Sequence, residues 1–222
     1  DDMPPAWTVR SLLAWMNQDF SALGLATPRL DAELLVAHAL RVDRVRLYMD
    51  LDRPLSPDEL ASVRELVVRR RKREPVAYIR GEREFYRRVF EVSPAVLIPR
   101  PDTETLVELA LERLPADEGE PRRVLDLCTG SGAIAVTLAA ERPALHVDAT
   151  DLSADALAVA ERNAERHGVR ERVSFHRGDL FAALPSPASY DLIVANPPYI
   201  TDAAYATLAP EITDHEPRLA LT

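Results

Sequence analysis

The sequence predicts an α/β protein with a doubly wound, mostly parallel sheet, preceded by a small all-helical domain. From Arg122 onward short apolar runs alternate with helical patterns, whereas residues 7–73 show helical spacing alone. Such alternation favours parallel strands, because parallel neighbours need a long crossover that a helix supplies. We therefore expect a helical domain over residues 1–80, a hairpin linker over 81–102 and an α/β domain over 103–222.

Three helices are predicted in the N-terminal segment. Thr8 is placed to cap the first helix, whose apolar residues recur at helical spacing until Gly24. A second helical pattern covers residues 31–40. The third helix begins at Ser56-Pro57-Asp58-Glu59, a capping box with proline at the first helical position, and continues to residue 73.

The charge of the chain is unevenly distributed. Residues 1–90 carry 16 Lys and Arg against 14 Asp and Glu, and residues 91–222 carry 11 against 22, for a net charge of −9. An acidic main domain argues against tight nonspecific binding of nucleic acid, which depends on neutralising phosphates. The basic run 69–73 ends the third helix, so we expect a solvated helix end that complements the helix dipole, with partner docking as the alternative.

The compartment is indicated by cysteine usage and hydropathy. Cys128 is the single cysteine, so the sequence offers neither a disulfide framework nor a cysteine metal cluster. The sequence contains no apolar run near the ~20 residues that span a bilayer, and it does not open on a signal-peptide pattern. We therefore expect a cytoplasmic protein that acts away from membranes.

A change of character at residue 83 introduces the sheet elements. Aromatic and β-branched residues over 83–98 predict a short hairpin, and the rigid turn 98–104 leads into a helix over about 103–114. The polar stretch 115–121 is predicted to be a loop. The remaining predicted elements are strands at 124–127, 145–150, 173–176 and 190–195, the last of them buried, and helices at 133–141 and 153–168.

The stretch Asn196-Pro197-Pro198-Tyr199 follows the fourth predicted strand. Two prolines cannot continue a central strand, so the chain leaves the sheet with a stiff backbone at the edge where open α/β sheets bind ligands. Asn196 Oδ1 and the Pro197 carbonyl are both acceptors, which suits a flat group that carries an NH₂, and Tyr199 can stack on that group. The alternative is a loop that merely ends a strand.

The loop Cys128-Thr129-Gly130-Ser131-Gly132 follows the first predicted strand and opens a helix. Its glycines let a ligand approach the backbone closely, and Asp151, about 20 residues on, can accept hydrogen bonds from ribose hydroxyls. The pattern resembles a dinucleotide site in which Ala135 replaces the third glycine. A ribose ligand without phosphate, S-adenosylmethionine, fits as well, because its positive sulfonium favours acidic neighbours.

Two further residues, Asp179 and Leu180, are assigned to this candidate cofactor site, and a third, Asp126, is left open. Asp179 and Leu180 follow the third strand, where an adenine would lie against an acceptor and an apolar side chain. A plain turn residue is the alternative for Asp179. For Asp126, in the first strand, a structural role and a ligand contact remain equally open.

Several motifs together resemble one family. The stretches 74–81 (EPVAYIRG), 84–86 (EFY) and 97–104 (LIPRPDTE), with the glycine-rich loop and the Asn-Pro-Pro-Tyr stretch, are similar to the signatures of the peptide chain release factor glutamine methyltransferases, the HemK/PrmC family. The resemblance covers nearly the whole chain. It implies a Rossmann-like methyltransferase fold and methylation, with S-adenosylmethionine, of the glutamine amide in the Gly-Gly-Gln motif of bacterial class I release factors.

The resemblance also implies roles for particular residues. Residues 128–132, Asp151, Leu180 and Asn196 would bind the cofactor, residues 196–199 would bind the glutamine, and the helical domain would dock the release factor. The chain departs from the family at Cys128, which stands where glycine is usual, and at Leu180, which stands where some members have tryptophan. Family members also continue beyond a segment similar to 211–221, so we expect the C-terminal end of the α/β domain to be missing.

The mechanism expected from these residues is one of positioning. Asn196 and the Pro197 carbonyl would orient the amide nitrogen and stabilise the positive charge that develops on it, so we expect no His base and no metal. One rival activity is methylation of the adenine amino group in DNA or RNA, because such enzymes hold the same flat NH₂ after flipping the base. The other rival is a fragment that binds cofactor but is inactive.

Overall fold

The computed structural model describes residues 7–114, 121–185 and 189–222. It divides into two compact units, the first ending at Arg80 and the second beginning at Gly81. Most of the loop predicted over 115–121 lies outside the described residues. Within the described part of the chain, no helix is long and apolar enough to cross a membrane.

The first unit is built from helices alone in its described part. Both predicted N-terminal caps are formed: the Thr8 hydroxyl accepts from the Ser11 N–H, and the Ser56 hydroxyl accepts from the Glu59 N–H. The two helices that the sequence did not predict, α3 and α5, are six and five residues long, too short to show a helical period. The helices are α1 (Val9–Ala22), α2 (Pro28–Leu40), α3 (Arg44–Met49), α4 (Pro57–Arg71) and α5 (Val76–Arg80).

The basic end of α4 is exposed at Arg69, Arg71 and Lys72, as predicted, but Arg70 is buried. Arg70 is buried and forms an ion pair with the buried Asp31 at 2.9 Å. Arg69 and Arg71 are exposed and pair with Glu74 and Asp19. The run therefore holds the end of α4 in place by pairing with carboxylates from its own unit. Burial of Arg70 needs such a partner, because an unpaired charge in a core is very costly.

The second unit opens with an antiparallel hairpin of β1 (Glu82–Phe85) and β2 (Arg88–Glu91). Phe85 and Phe90 belong to the hydrophobic core of this unit, so the hairpin packs as part of the α/β unit. Residues 96–98, which we predicted to be part of the hairpin, form no strand. Pro94 and Pro99 flank them, and proline cannot donate to a ladder.

The main sheet confirms the predicted parallel fold. Its strands lie in the order β5-β4-β3-β6 and all pair in parallel, with helices as the crossovers between β3, β4 and β5. The strands are β3 (Arg122–Leu127), β4 (Leu145–Asp151), β5 (Val173–Arg177) and β6 (Leu192–Ala195). The helices of this unit are α6 (Asp102–Arg113), α7 (Ala133–Glu141), α8 (Ala154–Arg166), α9 (Asp202–Tyr205) and α10 (Pro210–Thr213).

Strand β6 is less buried than its apolar run predicted. It pairs with β3 on one side, and no other described strand pairs with its second side. Successive side chains of a strand point to opposite faces, so Val194 enters the core while Ile193 is 48% exposed on the other face. The prediction of a buried strand was therefore wrong for this edge position, although the chain does leave the sheet at Asn196 as expected.

Candidate active site

A cavity of about 400 Å³ opens at the carboxyl edge of the main sheet. This size is within the ~300–1,000 Å³ range of small-molecule sites. Its walls come from the segments that follow β3, β4, β5 and β6, together with two segments on the facing side. The lining residues fall in the segments 95–103, 128–134, 150–156, 178–180, 196–198 and 217–220.

The two glycines of the loop after β3 have different uses. Gly130 has φ +55°, and a Cβ there would meet nothing within 4 Å, so its backbone is open to a ligand. Gly132 has φ +78° and does not line the cavity; a Cβ there would lie 3.0 Å from the Ala160 Cβ in α8. Gly130 thus gives access to the backbone, whereas Gly132 permits close packing of the loop against α8.

Asp151 joins two segments of the cavity wall. Its Oδ2 accepts the Gly130 N–H at 2.9 Å, and its Oδ1 accepts the Ser153 N–H at 2.9 Å. Each carboxylate oxygen has more than one lone pair, so both can still accept from ribose hydroxyls. The sequence predicted the ligand contact, but it did not show that this side chain also holds the glycine-rich loop to the start of α8.

Asp126 supports the loop from beneath. It is fully buried, and its Oδ2 accepts from the Thr129 hydroxyl at 2.7 Å and from the Ala135 N–H at 3.2 Å. Burial is the largest cause that raises the pKa of Asp126 to about 7. Asp126 does not line the cavity. Of the two roles that the sequence left open, the geometry therefore favours the structural one over a ligand contact.

Both positions at which the chain departs from the family residues have a left-handed backbone. Cys128 has φ +58° and Leu180 has φ +46°, a region that side chains with a Cβ adopt at a cost. Burial, followed by the charges of Asp151, Asp126 and Asp179, raises the pKa of the Cys128 thiol. The thiol therefore stays protonated and acts as a small apolar group in the cavity wall.

The segment after β5 provides the far end of the cavity. Asp179 and Leu180 line it, and the Gly178 N–H donates to the Asp151 carbonyl at 3.0 Å, which fixes this segment to the end of β4. Asp179 also precedes the short 3₁₀ turn 180–183. The turn role and the ligand-facing position therefore coexist.

Asn196, Pro197 and Pro198 line the opposite end of the cavity. The Asn196 Nδ2 donates to the Thr103 hydroxyl at 3.4 Å, which directs the amide oxygen elsewhere. Tyr199 is 81% exposed and does not line the cavity in this structure. The structure thus places three residues of the predicted substrate stretch together and leaves the fourth at the surface.

Sequence reasoning assigned no role to three residues at this end. Arg100 and Thr103 line the cavity, and the buried Glu216 accepts from the Arg100 guanidinium at 2.5 Å and from the Ile98 N–H at 3.1 Å. Arg100 and Thr103 lie in the 97–104 motif, and Glu216 lies next to Pro217 in the acidic C-terminal segment. These motifs were visible in the sequence, but the pairing between them depends on the fold.

The residues beside Gly130 in the cavity fit a nucleoside cofactor that carries a positive rather than a phosphorylated group. Gly130 leaves an open backbone cradle, while Asp151 and Asp179 offer carboxylates beside it. Carboxylates accept from ribose and amino groups and attract a cation, but they repel phosphate. Across the described residues no group of His, Cys, Asp and Glu could hold a metal ion.

Comparison with known proteins gives two family matches. The family model described as the PrmC N-terminal domain matches residues 11–81, and the model described as the methyltransferase small domain matches residues 102–217. The chain is 47% identical over 220 residues to a release factor glutamine methyltransferase of Geobacter sulfurreducens, covering 99% of this chain and 75% of that protein. It is also 47% identical over 214 residues to a release factor glutamine methyltransferase of Nitratidesulfovibrio vulgaris, covering 96% of this chain and 72% of that protein.

Among solved structures, one similar chain is an S-adenosylmethionine-dependent methyltransferase from Geobacter sulfurreducens in complex with S-adenosylhomocysteine. The two are 26% identical with a TM-score of 0.35, and the match covers 55% of this chain and 45% of that one.

Proposed function

The chain belongs to the release factor glutamine methyltransferase family of S-adenosylmethionine-dependent enzymes, and on that basis we propose its specific reaction. It methylates the side-chain amide nitrogen of the glutamine in the Gly-Gly-Gln motif of bacterial class I release factors. The observation that carries this proposal is the shared cavity: Asn196 and Pro197 line the same space as Gly130 and Asp151. An amide-holding stretch and a ribose-binding carboxylate therefore serve one site.

The cofactor is assigned to one side of this cavity. The open backbone at Gly130 receives the cofactor, Asp151 accepts from its ribose hydroxyls, and Asp179 with Leu180 contacts its adenine. Cys128, Thr129 and Ser131 complete the loop, while Gly132 contributes through packing rather than contact. When bound, S-adenosylmethionine supplies an electrophilic methyl group on a positively charged sulfur.

The glutamine amide is assigned to the Asn196 side. Asn196 Oδ1 and the Pro197 carbonyl each accept one N–H of the amide, so the lone-pair face of the nitrogen is directed at the methyl group. The hydrogen bond from Asn196 Nδ2 to the Thr103 hydroxyl supports this orientation, because it holds the NH₂ end of the Asn196 side chain at Thr103 and leaves Oδ1 available as an acceptor. The same two acceptors stabilise the charge that develops on nitrogen, and the proton leaves to solvent after the methyl transfer.

The helical unit is assigned to docking of the release factor. Its surface carries Trp7 and Trp15, 42% and 40% exposed, with the Arg71 guanidinium 5.7 Å from the Trp15 ring. Tryptophan and arginine are the residues enriched at interface hot spots. Trp15→Ala should therefore raise KM for an intact release factor and leave KM for a short Gly-Gly-Gln peptide unchanged. The proposal places the protein in the cytoplasm, where release factors act.

The decisive experiment is mass spectrometry of a class I release factor incubated with this protein and S-adenosylmethionine. The expected result is a gain of one methyl group on the Gly-Gly-Gln glutamine. A release factor with that glutamine replaced by alanine is the matched control and should gain nothing. Methylation of adenine in nucleic acid, or cofactor binding without any transfer, would overturn the proposal.

A further inference from the structure

Arg100 occupies an unusual electrostatic position in the cavity. Of the described residues that line it, Arg100 is the one cation, whereas Asp151 and Asp179 are anions. Its side chain is 37% exposed, so the guanidinium is neither buried in the core nor free in bulk solvent. A cation held in the wall of a cavity is suited to an anionic group of whatever the cavity binds.

Glu216 fixes the orientation of Arg100. The carboxylate of Glu216 is 2% exposed and accepts from Arg100 Nη2 and from the Ile98 N–H. The ion pair occupies Nη2, and a guanidinium has five N–H donors in a rigid fork. One edge of the fork is therefore held by a buried carboxylate while the side chain still faces the cavity.

The order of the strands locates Arg100 along the bound cofactor. Asp179 follows β5 and Asp151 ends β4, so adenine and ribose lie over that side of the sheet. Asn196 follows β6, on the other side of β3, and its Nδ2 reaches Thr103, three residues from Arg100. The end of the cofactor that carries the methyl group and the amino acid must point toward this second side.

We propose that Arg100, oriented by Glu216, binds the α-carboxylate at the methionyl end of the cofactor. This inference rests on the proposed function, because it takes S-adenosylmethionine as the ligand. Among the charged side chains that line the cavity in the described residues, Arg100 attracts a carboxylate, whereas Asp151 and Asp179 repel it. Arg100 is thus a binding residue, and Glu216 is a positioning residue that acts through it.

The proposal predicts that the effect of Arg100 depends on which ligand is bound. S-adenosylhomocysteine carries the α-carboxylate, whereas 5′-methylthioadenosine has the same adenosine and sulfur but lacks the amino acid end. Charge-assisted hydrogen bonds are worth about 1.5–3 kcal/mol, which corresponds to roughly 10- to 100-fold in affinity. Removing Arg100 should therefore lower the affinity for S-adenosylhomocysteine by that factor. The affinity for 5′-methylthioadenosine should stay within about twofold of that of the unaltered protein.

Calorimetric titration of the full chain with both ligands tests this. Replacing Arg100 alone would leave Glu216 as an unpaired buried charge, so the informative variant is the double change Arg100→Gln with Glu216→Gln. The single change Glu216→Gln keeps the cation but loosens its orientation. It should cause a smaller loss of affinity than the double change, and for S-adenosylhomocysteine only. Arg218→Gln is the matched control, because Arg218 also pairs with an aspartate, Asp202, but does not line the cavity.

Each outcome is decisive. Equal losses for both ligands, or no loss for either, would overturn the assignment of Arg100. If a variant does not fold, decarboxylated S-adenosylmethionine on the unaltered protein replaces it, and binding as tight as that of the intact cofactor would overturn the proposal. Failure of the unaltered protein to bind S-adenosylhomocysteine at all would instead count against the proposed function.

Discussion

The backbone N–H of Gly130 donates to Asp151 Oδ2 at 2.9 Å, so the glycine-rich loop is fixed to the carboxylate that we propose as the ribose ligand. Asp151→Ala should therefore weaken cofactor affinity by at least 10-fold, because charge-assisted bonds of about 1.5–3 kcal/mol each are lost. It should also lower the melting temperature without ligand. Glu108→Ala, an exposed change in the middle of α6 and away from the cavity, is the control and should alter neither quantity. An unchanged dissociation constant for S-adenosylmethionine would refute the ribose assignment.

Asn196 provides the sharpest test of the catalytic assignment. Asn196→Ala should lower turnover by about 10²–10³, the typical loss for one positioned hydrogen bond, while cofactor affinity changes much less. Single-turnover kinetics on a Gly-Gly-Gln substrate, paired with cofactor titration, measures both. Turnover close to that of the unaltered protein would mean that this stretch only ends a strand.

Thr103 offers a graded test of the same site. Thr103→Val removes the hydroxyl that accepts from Asn196 Nδ2 and should reduce turnover by about fivefold, in line with roughly 1 kcal/mol for a neutral hydrogen bond. Thr103→Ser keeps the hydroxyl and should stay within about twofold of the unaltered rate. Equal rates for the valine and serine variants would show that the orientation of the Asn196 amide does not depend on Thr103.

Cys128 carries backbone strain that a glycine would remove. Because φ is +58° at this position, Cys128→Gly should raise the free energy of unfolding by about 1 kcal/mol, even after the greater entropy of glycine in the unfolded chain. Thermal unfolding compared with Cys128→Ala separates strain from thiol chemistry, since alanine keeps the Cβ. If the glycine variant is no more stable than the alanine variant, the backbone at residue 128 does not carry the strain that we infer.

Asp126 should make stability depend on pH. Burial raises its pKa from 3.8 to about 7, so the folded state binds the proton more tightly than the unfolded state. This contribution to stability is fully present below about pH 4 and is lost as the pH rises through about 7. Between about pH 5 and about pH 8, the melting temperature of the unaltered protein should therefore fall relative to that of Asp126→Asn, whose side chain cannot ionise. Equal slopes of melting temperature against pH for the two proteins would show that Asp126 is not responsible.

Much of the fold could be predicted because its signals are local. The Ser56 capping box, the alternation of strand and helix after Arg122, and the break at Pro197 each depend on neighbours in sequence. The same holds for the ligand-facing positions of Gly130 and Asp151, which follow from the rule that parallel strands present their carboxyl ends at one edge.

The features that could not be predicted depend on contacts between distant residues. Glu216 meets Arg100 only after the C-terminal segment folds back over the cavity wall, and Asp31 meets Arg70 only once α2 and α4 pack. Ile193 is apolar, so its sequence context suggested burial, but the position of β6 at the edge of the sheet decides its exposure. The short helices α3 and α5 escape prediction for a different reason, since they are stabilised by packing rather than by a repeated pattern.

The edge position of β6 has a consequence for the behaviour of this chain in solution. Its second side presents backbone N–H and C=O groups that no other described strand covers, beside the exposed Ile193. An uncovered parallel edge is a template onto which an extended segment of another molecule can add as a further strand. Among the described strands, β6 is therefore an edge to which such a segment could add, and a lysine in place of Ile193 would oppose that addition.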